Sequence, residues 1–126
     1  MTHALVIDDN APNLKVLAQL LTREGLQVSR ISDPKAVVEA LSQLESIDVV
    51  FLDLEMPGLN GYEVKNLIRE QSHQTLIIAC TVHTGEITMV KHAGFDGFLG
   101  KPLSPEAFPG QLTRILRGEP VWEVTH

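Results

Sequence analysis

The sequence predicts a single α/β domain built on a parallel sheet with helices on both faces. Three observations carry that prediction. Short, continuous apolar runs recur along the chain, helical patterns separate them, and polar residues stand at the same end of each central run. Runs of this kind, rich in β-branched residues and not alternating, suit strands buried on both faces. The alternation of strand and helix then implies parallel pairing through right-handed crossovers.

Ala4-Leu5-Val6-Ile7 is the first such run. Leu14, Leu17, Leu20 and Leu21 follow at helical spacing, with Gly25 as the stop signal. Gln27-Val28-Ser29-Arg30-Ile31 is more polar and fits an edge strand. Asp33-Pro34 reads as an N-cap and a first helical position, leading to Val37, Val38, Leu41 and Leu44. Val49-Val50-Phe51-Leu52 is the third strand, and Val64, Leu67 and Ile68 mark the third helix. Leu76-Ile77-Ile78-Ala79-Cys80 is the fourth strand, and Ile87, Val90 and Ala93 mark a helix that stops at Gly94. Gly97-Phe98-Leu99 is the shortest strand. The last helix carries Leu112, Ile115 and Leu116 and ends by Gly118. Ser104-Pro105 could cap it, but Pro109 would remove an early backbone hydrogen bond, so a distorted first turn or a start at Pro109 is expected.

The chain has 126 residues, which suits one domain, with the fold expected over 1–118 and a tail over 119–126 that holds the only tryptophan and no helix signal. A net charge of -6 argues against a sequence-independent grip on nucleic acid or anionic lipid. No apolar run reaches the roughly 18 residues of a membrane span, and Met1-Thr2-His3 begins no secretory signal. The one cysteine, Cys80, excludes an internal disulfide framework and a cysteine-rich zinc site. A reducing, cytoplasmic home is the expectation.

Ligands of such sheets sit beyond the carboxyl ends of the strands. The first run ends in Asp8-Asp9, the third in Asp53 and the fourth in Thr81, while Lys101-Pro102 follows the fifth. One aspartate after a strand is ordinarily a loop residue or a cap. Three carboxylates, a hydroxyl and an ammonium converging on one edge are not explained that way. Clustered carboxylates repel one another and either take up protons or bind a cation. Oxygen donors without imidazole or thiolate select a hard ion, Mg2+ above all. A carboxylate nucleophile, a hard metal, a lysine and a hydroxyl together read as phosphoryl transfer to an aspartate.

In four blocks the chain resembles the receiver domain of two-component response regulators. The blocks are Val6-Ile7-Asp8-Asp9-Asn10, Asp53-Leu54-Glu55-Met56-Pro57-Gly58-Leu59-Asn60-Gly61, Thr81, and the run from Ala93 to Pro102. The resemblance spans about Leu5 to Leu116 and implies a flavodoxin-like five-stranded sheet in the order 2-1-3-4-5. It implies that Asp53 accepts the phosphoryl group and that Asp9 and Asp53 ligate Mg2+ directly. Asp8 would act mainly through water, and the Glu55 main-chain carbonyl would complete the ligands. Lys101 would contact the phosphoryl group, before a cis peptide to Pro102. Thr81 would swing towards the phosphoryl oxygens, and Phe98 would rotate inward behind it.

The chain departs from the family pattern in places. The segment from Thr81 to Lys101 is slightly short, which places the loss in the loop or helix after the fourth strand. Val82 stands where a small residue is commoner and alters access to the site. Phe98 lacks the hydroxyl of the commoner tyrosine. Glu55, two residues after Asp53, either steers water or repels the phosphoryl group, or is simply solvated. His83 is read as a loop histidine; His73, His92 and His126 form no ligand spacing, and Cys80 as a core residue. Trp122 either covers its own domain or marks a partner contact, with the first favoured.

The leading expectation is a stand-alone signalling switch, phosphorylated by a sensor histidine kinase or histidine phosphotransfer protein and docking to a downstream protein target. It involves no nucleic acid or membrane, and no enzyme activity beyond its own phosphoryl transfer and autodephosphorylation. Two alternatives stand beside it. A degenerate receiver would dock partners constitutively, and a small phosphatase would turn over phosphomonoesters through an aspartyl-phosphate intermediate. The phosphatase fits poorly, because Glu55 stands where such enzymes usually carry a second Asp and the chain leaves no room for a cap domain.

Overall fold

The five runs become parallel strands: β1 (His3–Ile7), β2 (Gln27–Ile31), β3 (Val49–Asp53), β4 (Leu76–Thr81) and β5 (Gly97–Gly100). The computed structural model describes residues 2–33, 36–42, 46–56 and 58–123. The expectations placed on Pro34, Leu44, Pro57 and His126 lie outside these residues, as do those on the side chains of Val38 and Leu41. Between the strands lie α1 (Ala11–Arg23), α2 (Val37–Leu41), α3 (Gly61–Gln71), α4 (Ile87–His92) and α5 (Phe108–Leu116).

The sheet order is β2-β1-β3-β4-β5, as the resemblance implies, but one strand more is present. Val121–Glu123, within the segment read as a tail, forms β6 and pairs in parallel with the outer edge of β5. The sheet is therefore six-stranded, not five-stranded. Alternation explains the docking. Val121 is buried with α1 and α5, and Trp122 packs on the opposite face. Gly97 permits the approach, because a Cβ there would stand 3.0 Å from the Val121 carbonyl oxygen.

Alternation also divides the core in two. Leu5, Ile7, Val50, Leu52, Ile77, Ala79 and Phe98 face Val37 of α2, Val64 and Ile68 of α3, and Val90 of α4. Ala4, Val6, Val49, Phe51, Ile78, Cys80 and Leu99 face the leucines of α1 and Phe108, Leu112 and Ile115 of α5. Phe51 and Phe108 meet with ring centroids 6.2 Å apart. Each fully buried side chain of this size stabilises by about 1.5–3 kcal/mol relative to exposure. Two expected core leucines lie at the surface instead: Leu67 and Leu116 are each 37% exposed.

Helix ends follow local chemistry. Asn10 caps α1, accepting the Asn13 N–H at 2.9 Å, and Gly25 follows the helix at a φ of 85°. Asn60 caps α3. Ser104 Oγ accepts the Ala107 N–H at 3.2 Å, and α5 proper starts at Phe108 with Pro109 in its first turn, where a missing N–H costs little. The short α2 begins after Ala36, with no side-chain cap. In the segment after β4, one 3₁₀ turn (Thr84–Glu86) leads into a six-residue α4.

Candidate functional site

Each strand that ends at the site delivers its residue because its apolar run stops there. β3 runs through Asp53 and β4 through Thr81, so both are held by ladder pairing rather than by loops. Asp8 and Asp9 follow β1 directly. The Lys101 N–H donates to the Thr81 carbonyl at 2.9 Å, fixing the segment after β5, and the Lys101–Pro102 peptide is cis.

The three expected acids converge: carboxylate oxygens of Asp8, Asp9 and Asp53 all lie within 4.8 Å of one another. Asp8 and Asp53 are buried and Asp9 is exposed. Asp8 Oδ1 accepts the Asn10 N–H at 2.9 Å, and Asp8 Oδ2 accepts from Lys101 Nζ at 2.8 Å. Asp53 Oδ1 accepts the Glu55 N–H at 3.1 Å and lies 3.5 Å from Lys101 Nζ. One ammonium thus serves two buried carboxylates.

Burial pushes the Asp53 carboxyl up to about 6; the Asp8 charge adds to this, and the Glu55 N–H and Lys101 act against it. Burial works against the Lys101 charge, but its hydrogen bond to Asp8 and the charges of Asp53 and Asp8 outweigh that and raise its pKa. A cleft of about 180 Å³ opens over these groups, lined by Asp9, Asn10, Asn13, Asp53, Glu55, Val82 and Lys101. Its donor set is oxygen only, with more negative charge than the lysine offsets. That chemistry fits a hard divalent cation.

Thr81 is fully buried and Phe98 lies inside the core on the α4 face. Glu55 is not a free solvated side chain. Its Oε1 accepts a hydrogen bond from Thr81 Oγ1, and its Oε2 lies 2.9 Å from His83 Nε2. The His83 N–H in turn donates to Thr81 Oγ1 at 3.0 Å. Glu55, Thr81 and His83 thus close a ring of polar contacts at the mouth of the cleft, two of them hydrogen bonds and the third a close imidazole–carboxylate approach. The sequence reading of His83 as a loop residue is right about its place and missed its partner. Cys80 is a core thiol, and burial pushes its pKa up to about 12.

Comparison with known proteins agrees with this geometry. The family model of the response regulator receiver domain matches residues 4–113, and the chain belongs to that family. Among curated relatives, it is 32% identical over 126 residues to hybrid signal transduction histidine kinase C of Dictyostelium discoideum, covering 92% of this chain and 10% of that protein. It is 32% identical over 119 residues to the transcriptional regulatory protein CpxR of Escherichia coli, covering 93% of this chain and 50% of that one. The chain therefore spans at most about half the length of these relatives. Among solved structures, the chemotaxis protein CheY4 of Vibrio cholerae superposes with a TM-score of 0.78 at 28% identity, covering 91% of this chain and 98% of that one. The receiver domain protein of Clostridium thermocellum, at 22% identity, shares the fold with a TM-score of 0.81 over 93% of this chain and 95% of that one.

Proposed function

We propose that the chain is the phosphorylation-activated switch of a two-component phosphorelay, with Asp53 as phosphoacceptor. The observation that carries this reading is the placement of Asp53. It is a buried carboxylate at the end of a central strand, 3.5 Å from a lysine and facing an open acidic cleft. The donor is a phosphohistidine of a sensor histidine kinase or histidine phosphotransfer protein. An Asp53 carboxylate oxygen forms the new P–O bond, the P–N bond breaks, and its electron pair stays on the imidazole. Asp9 and Asp53 would hold Mg2+ through their carboxylates, Asp8 would act mainly through water, and the Glu55 carbonyl would complete the protein donors. The ion supplies charge neutralisation at the transferring phosphoryl group.

Lys101 presents its ammonium to the incoming oxygens as a point charge. Ladder pairing on β3 orients Asp53 before the donor arrives, so positioning supplies much of the acceleration. Thr81 must leave Glu55 to reach the new phosphate, which opens the ring with His83 and alters the loop leading into α4. A downstream protein reads that altered surface. The chain is a stoichiometric acceptor and not a turnover enzyme. Among the described residues no helix is long and apolar enough to cross a membrane.

Intact-mass measurement after incubation with Mg2+ and acetyl phosphate tests this. The expected result is one phosphoryl adduct that requires Mg2+ and is absent from Asp53→Asn. Folded protein that takes no adduct from acetyl phosphate or from a phosphohistidine donor would overturn the reading in favour of a constitutive docking module.

A further inference from the structure

The outer edge of β5 is filled by the chain's own Val121–Glu123, and the seat is shaped on both sides of the sheet. Val121 is buried among the side chains of the α1 and α5 face. Trp122 lies in register with Phe98, and Lys91 Nζ stands 5.3 Å above its ring centroid. Glu123 accepts from Gln111 Nε2 at 2.8 Å and pairs with Arg114. Backbone pairing, an apolar pocket, a cation over an aromatic ring and a cationic clamp for an acid are together the elements of strand-addition recognition.

This seat differs from the inner strands in how firmly it is held. Among the described residues β6 spans three positions and pairs with a single strand, and its acid is clamped by a half-exposed ion pair, which contributes little. Its fit is also incomplete. Gln111 is only 7% exposed, yet its Oε1 meets no partner among the described residues. A segment that brought a donor to that oxygen would bind better than the resident one.

We propose that the edge of β5, flanked by Lys91 on one side and by Gln111 and Arg114 on the other, is a strand-acceptor site for an extended apolar–aromatic–acidic segment of a partner protein, masked in cis by Val121–Glu123. The chemistry of the partner follows from the resident strand: a parallel segment with a small apolar residue towards α5, an aromatic ring under Lys91 and an acid at Arg114. Within a chain of net charge -6, these cations give an acidic segment a local landing place. The proposal is independent of phosphorylation at Asp53.

The test is fluorescence anisotropy with a labelled peptide of residues 119–123, Glu-Pro-Val-Trp-Glu, titrated against the wild-type chain and against Trp122→Ala without any phosphodonor. A masked site binds in proportion to its open fraction, so weakening the resident strand is expected to tighten peptide binding about tenfold or more. Adding Arg114→Glu should remove that gain. Glu123→Ala serves as the second unmasking variant should Trp122→Ala lower the melting temperature enough to compromise the fold. Hydrogen exchange gives an independent readout: β5 amides should open more readily than those of β3 and slow when the peptide is bound. Equal peptide affinity for masked and unmasked chains, or no binding by any of them, would overturn the proposal.

Discussion

The two ends of the sheet each hold an ion pair, and the two are built in opposite ways. At the end where the strands begin, Asp96 Oδ2 accepts from Arg69 at 2.8 Å and from the Ile77 N–H at 2.8 Å. The same guanidinium donates to the carbonyls of Thr75 and Gly94. One cation meets one acid, and two further N–H groups of the guanidinium find carbonyls. At the end where the strands finish, one lysine is shared by Asp8 and Asp53, with Asp9 beside them. Both ends use the same chemistry, but the first is saturated and the second is not. The saturated end ties α3 to the turn before β5. The unsaturated end keeps negative charge in reserve for a ligand, at a cost to the unliganded fold.

Breaking the saturated end should have the largest effect. Asp96→Ala leaves the Ile77 N–H and the Arg69 guanidinium short of an acceptor, and a loss of about 2–3 kcal/mol is expected in urea denaturation. An unchanged midpoint would mean that this end is not the anchor described.

At the other end the sign reverses. Ionised Asp53 is disfavoured in the folded state, since its carboxyl stands at about 6 against an ordinary 3.8. Without metal, its contribution to stability therefore declines as pH rises from 3.8 through about 6, and the cost is fully present above that. Asp53→Asn, measured in chelator at neutral pH, should raise stability by about 1–2 kcal/mol while abolishing the adduct. A destabilised variant would contradict the unsaturated picture.

The third effect is no larger than the second. Mg2+ at about ten times its dissociation constant should stabilise the wild type by about 1.4 kcal/mol, and Asp53→Asn by less. Thermal melts with and without the ion would measure both, and equal shifts would remove Asp53 from the ligand set.

The arrangement of β1, β3 and β4 was legible because fully buried parallel strands leave an unmistakable apolar run, and each run ends at a polar residue with work to do. The acid cluster was legible for the same reason: strand ends of a parallel sheet share one edge, so Asp8, Asp9, Asp53 and Thr81 had to meet. β6 was not legible. Val121-Trp122-Glu123 is too short for a periodicity argument, and its docking depends on the bare backbone of Gly97 on another strand. Nor could spacing reveal that the His83 ring would reach Glu55 across the sheet edge, since Glu55 sits in a two-residue strand pairing just beyond β3 and His83 in the loop after β4. Leu67 and Leu116 obeyed helical spacing and still ended at the surface, because a stripe wider than the sheet face it covers leaves its margin in water.

The ring of polar contacts among Glu55, Thr81 and His83 has a consequence for how finely the switch can be set. In the proposed function the Thr81 hydroxyl answers the phosphate, and in the structure it is already engaged by Glu55, so on that reading the resting state is a bound state with its own affinity and not an idle one. The gain of the device is then the difference between two competing contacts of Thr81. A substitution at position 83 resets that difference while Asp53, Lys101 and the acids that define the chemistry stay untouched. Threshold and chemistry are written in different residues, and either can be retuned without rewriting the other.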